Sequence, residues 1–151
     1  MLRGYEIIDI LKNRIRIKNL NVYIYSLQDK IPKPFSLPTA LIINTDMSKY
    51  GDGEHWVAIY VDKKKNVFYF DSFGVILDPI YQNIVSWGEC FSSMLYNKRH
   101  LQHPFSTLCG GYCVMFIFCM SNGYSFSSFL NLFGNDFRLN DALVRGFISK
   151  I

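Results

Sequence analysis

Cys109 stands where a polar loop runs into the longest apolar stretch of the chain, within LQHPFSTLCGGYCVMFIFCMSNG, residues 101–123. The spacing predicts a buried helix over Cys109–Asn122, closed by Gly123, with the thiol at its N-terminus. Unpaired backbone N–H groups and the helix dipole favour negative charge there, and so favour the nucleophilic thiolate. His55 opens the β-prone run HWVAIYVD, and Asp71 lies near the end of NVFYFDSF, which follows a short turn through Lys63, Lys64 and Lys65. An antiparallel hairpin of these runs brings His55 and Asp71 to one end of a sheet, where the carboxylate would hold the imidazole's tautomer and support its charged form. Gln102, seven positions before Cys109, offers its side-chain N–H groups beside the Cys109 backbone N–H as donors to an oxyanion. Gly110 and Gly111 are expected to keep bulk away from a carbonyl under attack. Nucleophile, base, orienter and oxyanion donor together describe acyl transfer through a thioester.

Each residue also has a plainer reading. A buried cysteine is usually a small hydrophobe, a histidine at a strand end is usually a surface residue, and an aspartate before Ser-Phe-Gly is a turn former. His100, His103, Cys109 and Cys113 form H-x2-H-x5-C-x3-C, which has zinc-like ligand types. Cys113 lies inside the apolar run, however, and no second Cys-x2-Cys pair exists, so no metal site is expected.

The elements that must position these side chains follow from periodicity and punctuation. YEIIDILKN suggests a short amphipathic N-terminal helix, VYIYSL (Val22–Leu27) an extended piece, and Pro32, Pro34 and Pro38 a loop. TALIINT (Thr39–Thr45) is a strand, followed by the polar loop DMSKYGDGE and then the hairpin of His55–Asp62 and Asn66–Phe73. Pro79–Leu95 reads as a helix capped by Asp78, and Lys98–His103 as a short strand. Ser125–Phe133 and Asn140–Lys150 read as two closing helices. Strands in the middle and helices at the ends indicate an α+β fold.

Half of the 151 residues are hydrophobic, so the chain carries enough material for one core, and residues 1–151 are expected to form a single domain. The net charge of +4 is a small excess, partly carried by the basic run KNRIRIK, which reads as a solvated face or strand edge. Any DNA binding should therefore be weak and salt-sensitive. MLRGYEIIDIL has acidic residues where a signal peptide would be apolar, and Cys90, Cys109, Cys113 and Cys119 form no secreted disulfide framework. A reducing, intracellular setting is expected, with no membrane span, because VMFIFCM is far shorter than the ~20 residues a span needs.

HW at the head of a strand, DSFG after the hairpin, and a glutamine several residues before CG-x2-C resemble the adenain family of viral cysteine proteases. They also resemble the wider group that includes the Ulp/SENP-type SUMO-deconjugating proteases. ALIINTDMSKYGDGEHWVAIYV (Ala40–Val61) is similar to adenain's strand, loop and histidine block, and FDSFGV to its acidic block, so the resemblance runs from about residue 5 to residue 122. It implies a papain-like, adenain-like fold: a central, mostly antiparallel sheet with a buried helix carrying the nucleophile. It matches His55 to the general base, Cys109 to the nucleophile, Gln102 to the oxyanion-hole glutamine and Trp56 to the tryptophan beside the base. Asp71 matches the third member, which is Glu in adenain and Asp in the SUMO proteases. The chain departs from adenain by being shorter after the catalytic helix and by lacking some of its cysteines. By this resemblance the chain is a cysteine endopeptidase cleaving viral or virus-derived precursor proteins at glycine-containing sites. The resemblance also implies an activating peptide and DNA, neither required for the chemistry, and a location in the virion and host nucleus; the chain is separately expected to act as a monomer. The alternatives are a deconjugating isopeptidase on SUMO- or ubiquitin-like modifiers, and a non-catalytic, weakly basic binding module.

Overall fold

The structure, a computed structural model, describes residues 1–15, 17, 19–26, 29–33, 36–45, 55–75, 86–87 and 93–151. Helix α1 (Gly4–Asp9) passes directly into a π-helical turn, Ile10–Arg14. Ile7, Ile10 and Leu11 point inward, while Lys12, Asn13 and Arg14 form an exposed face. The described part of the basic run is thus the solvated side of a helical turn, with Arg14 Nε 3.0 Å from Asp9 Oδ2.

Five strands follow in spatial order: β1 (Asn21–Ser26), β2 (Thr39–Asn44), β3 (Trp56–Val61), β4 (Asn66–Phe70) and β5 (Ser93–Tyr96). The pairings β2–β3 and β3–β4 are antiparallel, as expected for the centre of the sheet. Each edge strand joins parallel, β1 to β2 and β5 to β4. Both do so across long connections, residues 27–38 and 71–92, which is the condition for parallel pairing.

β5 corrects the local reading of the sequence. Ser93–Tyr96 is strand where the apolar spacing predicted the end of a helix, and Lys98–His103 is irregular where a strand was predicted. Ser86 and Trp87 are helical, whereas residues 79–85 and 88–92 of that predicted helix lie outside the described residues, as does Cys90. Met94 packs into the sheet's second core beside Val67 and Tyr69, and this tertiary contact overrides local propensity.

Both faces of the central strands β2 and β3 are covered, so these read as nearly continuous apolar runs rather than alternating ones. Ala40, Ile42, Trp56, Ala58, Tyr60 and Phe70 face the helices. Leu41, Ile43, Val57, Ile59, Val61, Val67 and Tyr69 face a smaller cluster with Trp87, whose Nε1 donates to Pro32 O at 3.0 Å. Helix α2 (Cys109–Ser121) lies across the first face, and nearly all of it is buried. Apolar residues surround it because the sheet, α1, α3 (Phe126–Leu130) and α4 (Phe137–Ser149) pack on it from different sides. Phe116 centres an aromatic cluster, stacked on Phe70 at 5.0 Å and edge-on to Phe129 at 5.4 Å. Ser125 caps α3, accepting from Ser128 N, and Asp136 caps α4, which therefore begins three residues before the predicted start.

Gly110 and Gly111 serve this packing. A Cβ at Gly110 would lie 3.1 Å from Ile7 Cδ1 and 3.4 Å from Trp56 Cδ1; one at Gly111 would lie 3.0 Å from Val144 Cγ1. The paired glycines let α2 approach α1 on one side and α4 on the other. Among the described residues, no helix is long and apolar enough to cross a membrane.

Candidate active site

The hairpin and α2 meet at one end of the sheet. His55 precedes β3, and its carbonyl accepts from Thr45 N at 2.8 Å, tying the head of β3 to the end of β2. Next to it, Trp56 is buried, and its Nε1 donates to Leu2 O at 3.1 Å, holding the N-terminal segment against α2. Asp71 immediately follows β4, and its Oδ1 lies 3.0 Å from His55 Nε2. The same oxygen accepts from Phe73 N at 2.9 Å, and Asp71 O accepts from Gly74 N at 2.8 Å. The turn contact with Phe73 N and the contact with His55 are thus made by one carboxylate oxygen. Gly74 has φ +64°, and a Cβ there would sit 2.7 Å from Lys98 O, so the turn needs glycine.

Asp71 is almost fully buried and its Oδ2 has no hydrogen-bond partner among the described residues. Its backbone is held on both sides by buried Asn97, which accepts from Asp71 N at 3.0 Å and donates to Asp71 O at 2.6 Å. This amide side chain extends the β4–β5 pairing one residue past the end of the strand. Asn97 carried no sequence signal, because a polar residue in a loop has none until the fold gives it partners.

The His55 side chain is about three-quarters buried and hydrogen-bonds to both Asp71 and Cys109. With Nε2 committed to Asp71, Nδ1 is the nitrogen left for the thiol. Burial favours the neutral ring, but the hydrogen bonds and negative charges of Asp71 and Cys109 outweigh it and raise the His55 pKa to about 9. The ring is therefore charged at neutral pH. Phe73 covers it at 5.1 Å between centroids. Cys109 is buried at the first position of α2, where the Leu108 N-cap supplies no side-chain cap and the helix dipole favours negative charge. Cys113 donates to Trp56 O at 3.4 Å, and burial pushes its thiol well above the usual range. Burial also raises Cys119, to about 11.

Gln102 is fully buried on the segment leading to α2. Its Oε1 accepts from Ser72 Oγ at 2.6 Å, and its Nε2 donates to Ser106 O at 2.9 Å and Ser106 Oγ at 2.8 Å. The Ser72 carbonyl also accepts from Leu101 N and Gln102 N, so the Asp71 turn and the Gln102 segment are bonded through backbone and side chain. From behind, Asn140 Nδ2 donates to Leu101 O at 3.0 Å, and Asp141 Oδ1 accepts from His103 N and Tyr112 Oη. Burial and the adjacent Asp141 carboxylate raise the Tyr112 pKa, so the phenol stays protonated as a donor. Ser72, Ser106, Asn140 and Asp141 were not legible as site residues, since each acts only by holding another group.

The zinc-like set is dispersed. His100 stacks on Phe137 and meets Phe73 edge-on, His103 Nδ1 accepts from Phe105 N, and Cys113 is turned to Trp56.

No family model matches the chain. It is 32% identical over 94 residues to the protease of Bovine adenovirus C serotype 10, covering 54% of this chain and 47% of that one. The chain thus spans about half the length of this curated relative. Among solved structures it is similar to the African swine fever virus protease, with 27% identity and a TM-score of 0.51 over 60% of this chain and 37% of that one. Its fold is also that of ChlaDub1 from Chlamydia trachomatis, with a TM-score of 0.60 and 15% identity over 74% of this chain and 59% of that one. The chain therefore resembles the adenain-like cysteine proteases in sequence and shares their α+β fold, a five-stranded sheet with the cysteine-bearing helix across it.

Proposed function

We propose that this chain is a cysteine endopeptidase in which Cys109 is the nucleophile, His55 the acid and base, Asp71 the orienter and Gln102 an oxyanion donor. The observation that carries the reading is one imidazole, His55, hydrogen-bonded both to a buried carboxylate at 3.0 Å and to a thiol at a helix N-terminus. Thiolate Cys109 attacks the scissile carbonyl carbon, and the electron pair moves onto oxygen. The Cys109 N–H and a Gln102 Nε2 proton stabilise that oxyanion. As the tetrahedral intermediate collapses, the C–N bond breaks and His55 gives its proton to the leaving amine. Neutral His55 then takes a proton from water, whose oxygen attacks the thioester; the acid product leaves and the ion pair is restored. Every group in this scheme belongs to the chain.

The viral proteases it resembles support protein substrates, and the resemblance to adenain extends the proposal to viral precursor proteins cut at glycine-containing sites. The test is cleavage of a fluorogenic peptide ending in Gly-Gly-aminomethylcoumarin by the wild type, Cys109→Ala and His55→Ala. Turnover by the wild type and none by either variant is expected; full activity of Cys109→Ala would overturn the proposal. Turnover confined to SUMO- or ubiquitin-aminomethylcoumarin would replace peptide cleavage with deconjugation.

A further inference from the structure

We propose that Ser72 is a positioning residue of the oxyanion hole: its hydroxyl orients the Gln102 amide so that Nε2 faces the approach to Cys109. This rests on the reading of Gln102 as an oxyanion donor.

The orientation of the amide is settled by its partners. The backbone carbonyl of Ser106 can only accept, so the Gln102 atom 2.9 Å from it is Nε2, and the atom 2.6 Å from Ser72 Oγ is Oε1. Ser72 must therefore donate. Ser72 and Gln102 are both fully buried, so no water replaces that donor, and a flipped amide would set Nε2 against the hydroxyl and Oε1 against a carbonyl. Donation into Oε1 also polarises the amide and strengthens Nε2–H as a donor. In the resting site both Nε2 protons rest on Ser106, one on its carbonyl and one on its hydroxyl. A hydroxyl turns by rotating about one bond, so that second proton can pass to a substrate oxyanion while the carbonyl and Ser72 hold the amide.

Ser72 also sits next to Asp71, so one turn aligns the base through Asp71 Oδ1 and the oxyanion donor through Ser72 Oγ. The bonds from Leu101 N and Gln102 N to Ser72 O are backbone bonds and survive side-chain truncation. Ser72→Ala therefore removes the donor to Oε1 and little else, leaving the amide held at Nε2 alone.

The experiment is a double-mutant cycle on the full chain with Ser72→Ala, Gln102→Ala and the double variant. The assays are the Gly-Gly-aminomethylcoumarin peptide and the rate of Cys109 alkylation by iodoacetamide. Misplacing an oxyanion donor acts on the transition state, so Ser72→Ala should lower kcat about 10- to 100-fold with little change in KM. Alkylation passes through no oxyanion, and its rate should stay at the wild-type value. In the Gln102→Ala background, Ser72→Ala should cost less than about threefold, because its route of action is gone. Ser72→Cys keeps the volume and a weak donor; it should recover part of kcat, and it carries the same comparison if the alanine variant does not fold. Wild-type kcat in Ser72→Ala with an impaired Gln102→Ala would overturn the assignment of Ser72 alone. Equal losses from Ser72→Ala in both backgrounds, or alkylation falling in step with kcat, would also overturn it and give Ser72 a merely structural role. Wild-type kcat in Gln102→Ala would remove the oxyanion reading itself, and this proposal with it.

Discussion

Asn97 and Asp71 exchange two buried hydrogen bonds, Asp71 N to Asn97 Oδ1 at 3.0 Å and Asn97 Nδ2 to Asp71 O at 2.6 Å, beyond the last residue of the β4–β5 pairing. The carboxylate that orients His55 is therefore positioned by its own main chain, and that main chain by a side chain outside the triad. Asn97→Ala leaves the Asp71 N–H without a partner and takes one of two donors from the Asp71 carbonyl, which Gly74 N still serves; this should cost about 1–3 kcal/mol of stability. Chemical denaturation should show that loss. Activity measured below the unfolding transition should fall mainly in kcat, as the Asp71 turn loosens; an unchanged denaturation midpoint would show that water takes over the bond from Asp71 N.

The His55 pKa of about 9 gives a pH dependence with a definite sign. Its folded value lies above the ordinary histidine value of 6.5, so the stability this charge contributes is fully present below about 6.5 and is lost as pH rises through about 9. Catalysis should follow the same group: kcat/KM should fall on the alkaline side near pH 9, as the acid for the leaving amine disappears. Asp71→Asn keeps an oxygen for Phe73 N and for the ring but removes the charge that raises the pKa. It should retain measurable activity and move the alkaline limb to lower pH. A limb unmoved in Asp71→Asn would assign that titration to another group.

The β3–β4 turn offers a test of the fold alone. Lys65 has φ +67°, a left-handed conformation that strains an L side chain, while Asp62 Oδ1 accepts from Lys64 N and Asn66 N across the same turn. Lys65→Gly should stabilise the protein by about 0.5–1 kcal/mol, raising Tm by about 1–4 °C with activity unchanged. A lower Tm would mean that the unfolded chain's added freedom outweighs the strain relieved.

What could be read in advance was whatever depends on local order. HWVAIYVD and NVFYFDSF carry their pairing in a short turn, and the apolar run after Cys109 carries its own length, so the hairpin and the central helix follow from the sequence. The juxtaposition of His55 with Asp71 follows from that hairpin. β5 was hidden because Ser93–Tyr96 continues an apolar spacing that suits a helix, and only packing beside Val67 makes it a strand. The parallel edges were hidden because pairing partners distant in sequence leave no local trace. Ser72 and Asn97 are ordinary loop residues until their partners arrive. Gly110 and Gly111 were visible, but their packing role was not: Ile7, Trp56 and Val144 lie where Cβ atoms would be.

The most direct test of the central claim, a Cys109–His55 ion pair at the head of α2, needs no substrate. It is the iodoacetamide alkylation rate of each cysteine at pH 7, read by mass spectrometry in wild type and His55→Ala. Cys113 and Cys119 are buried thiols with raised pKa values and should label slowly in both proteins. Cys109 should label at least about tenfold faster than either in the wild type and lose most of that advantage in His55→Ala. Labelling of Cys109 no faster than that of Cys113 and Cys119, or as fast in His55→Ala as in the wild type, would contradict the ion pair.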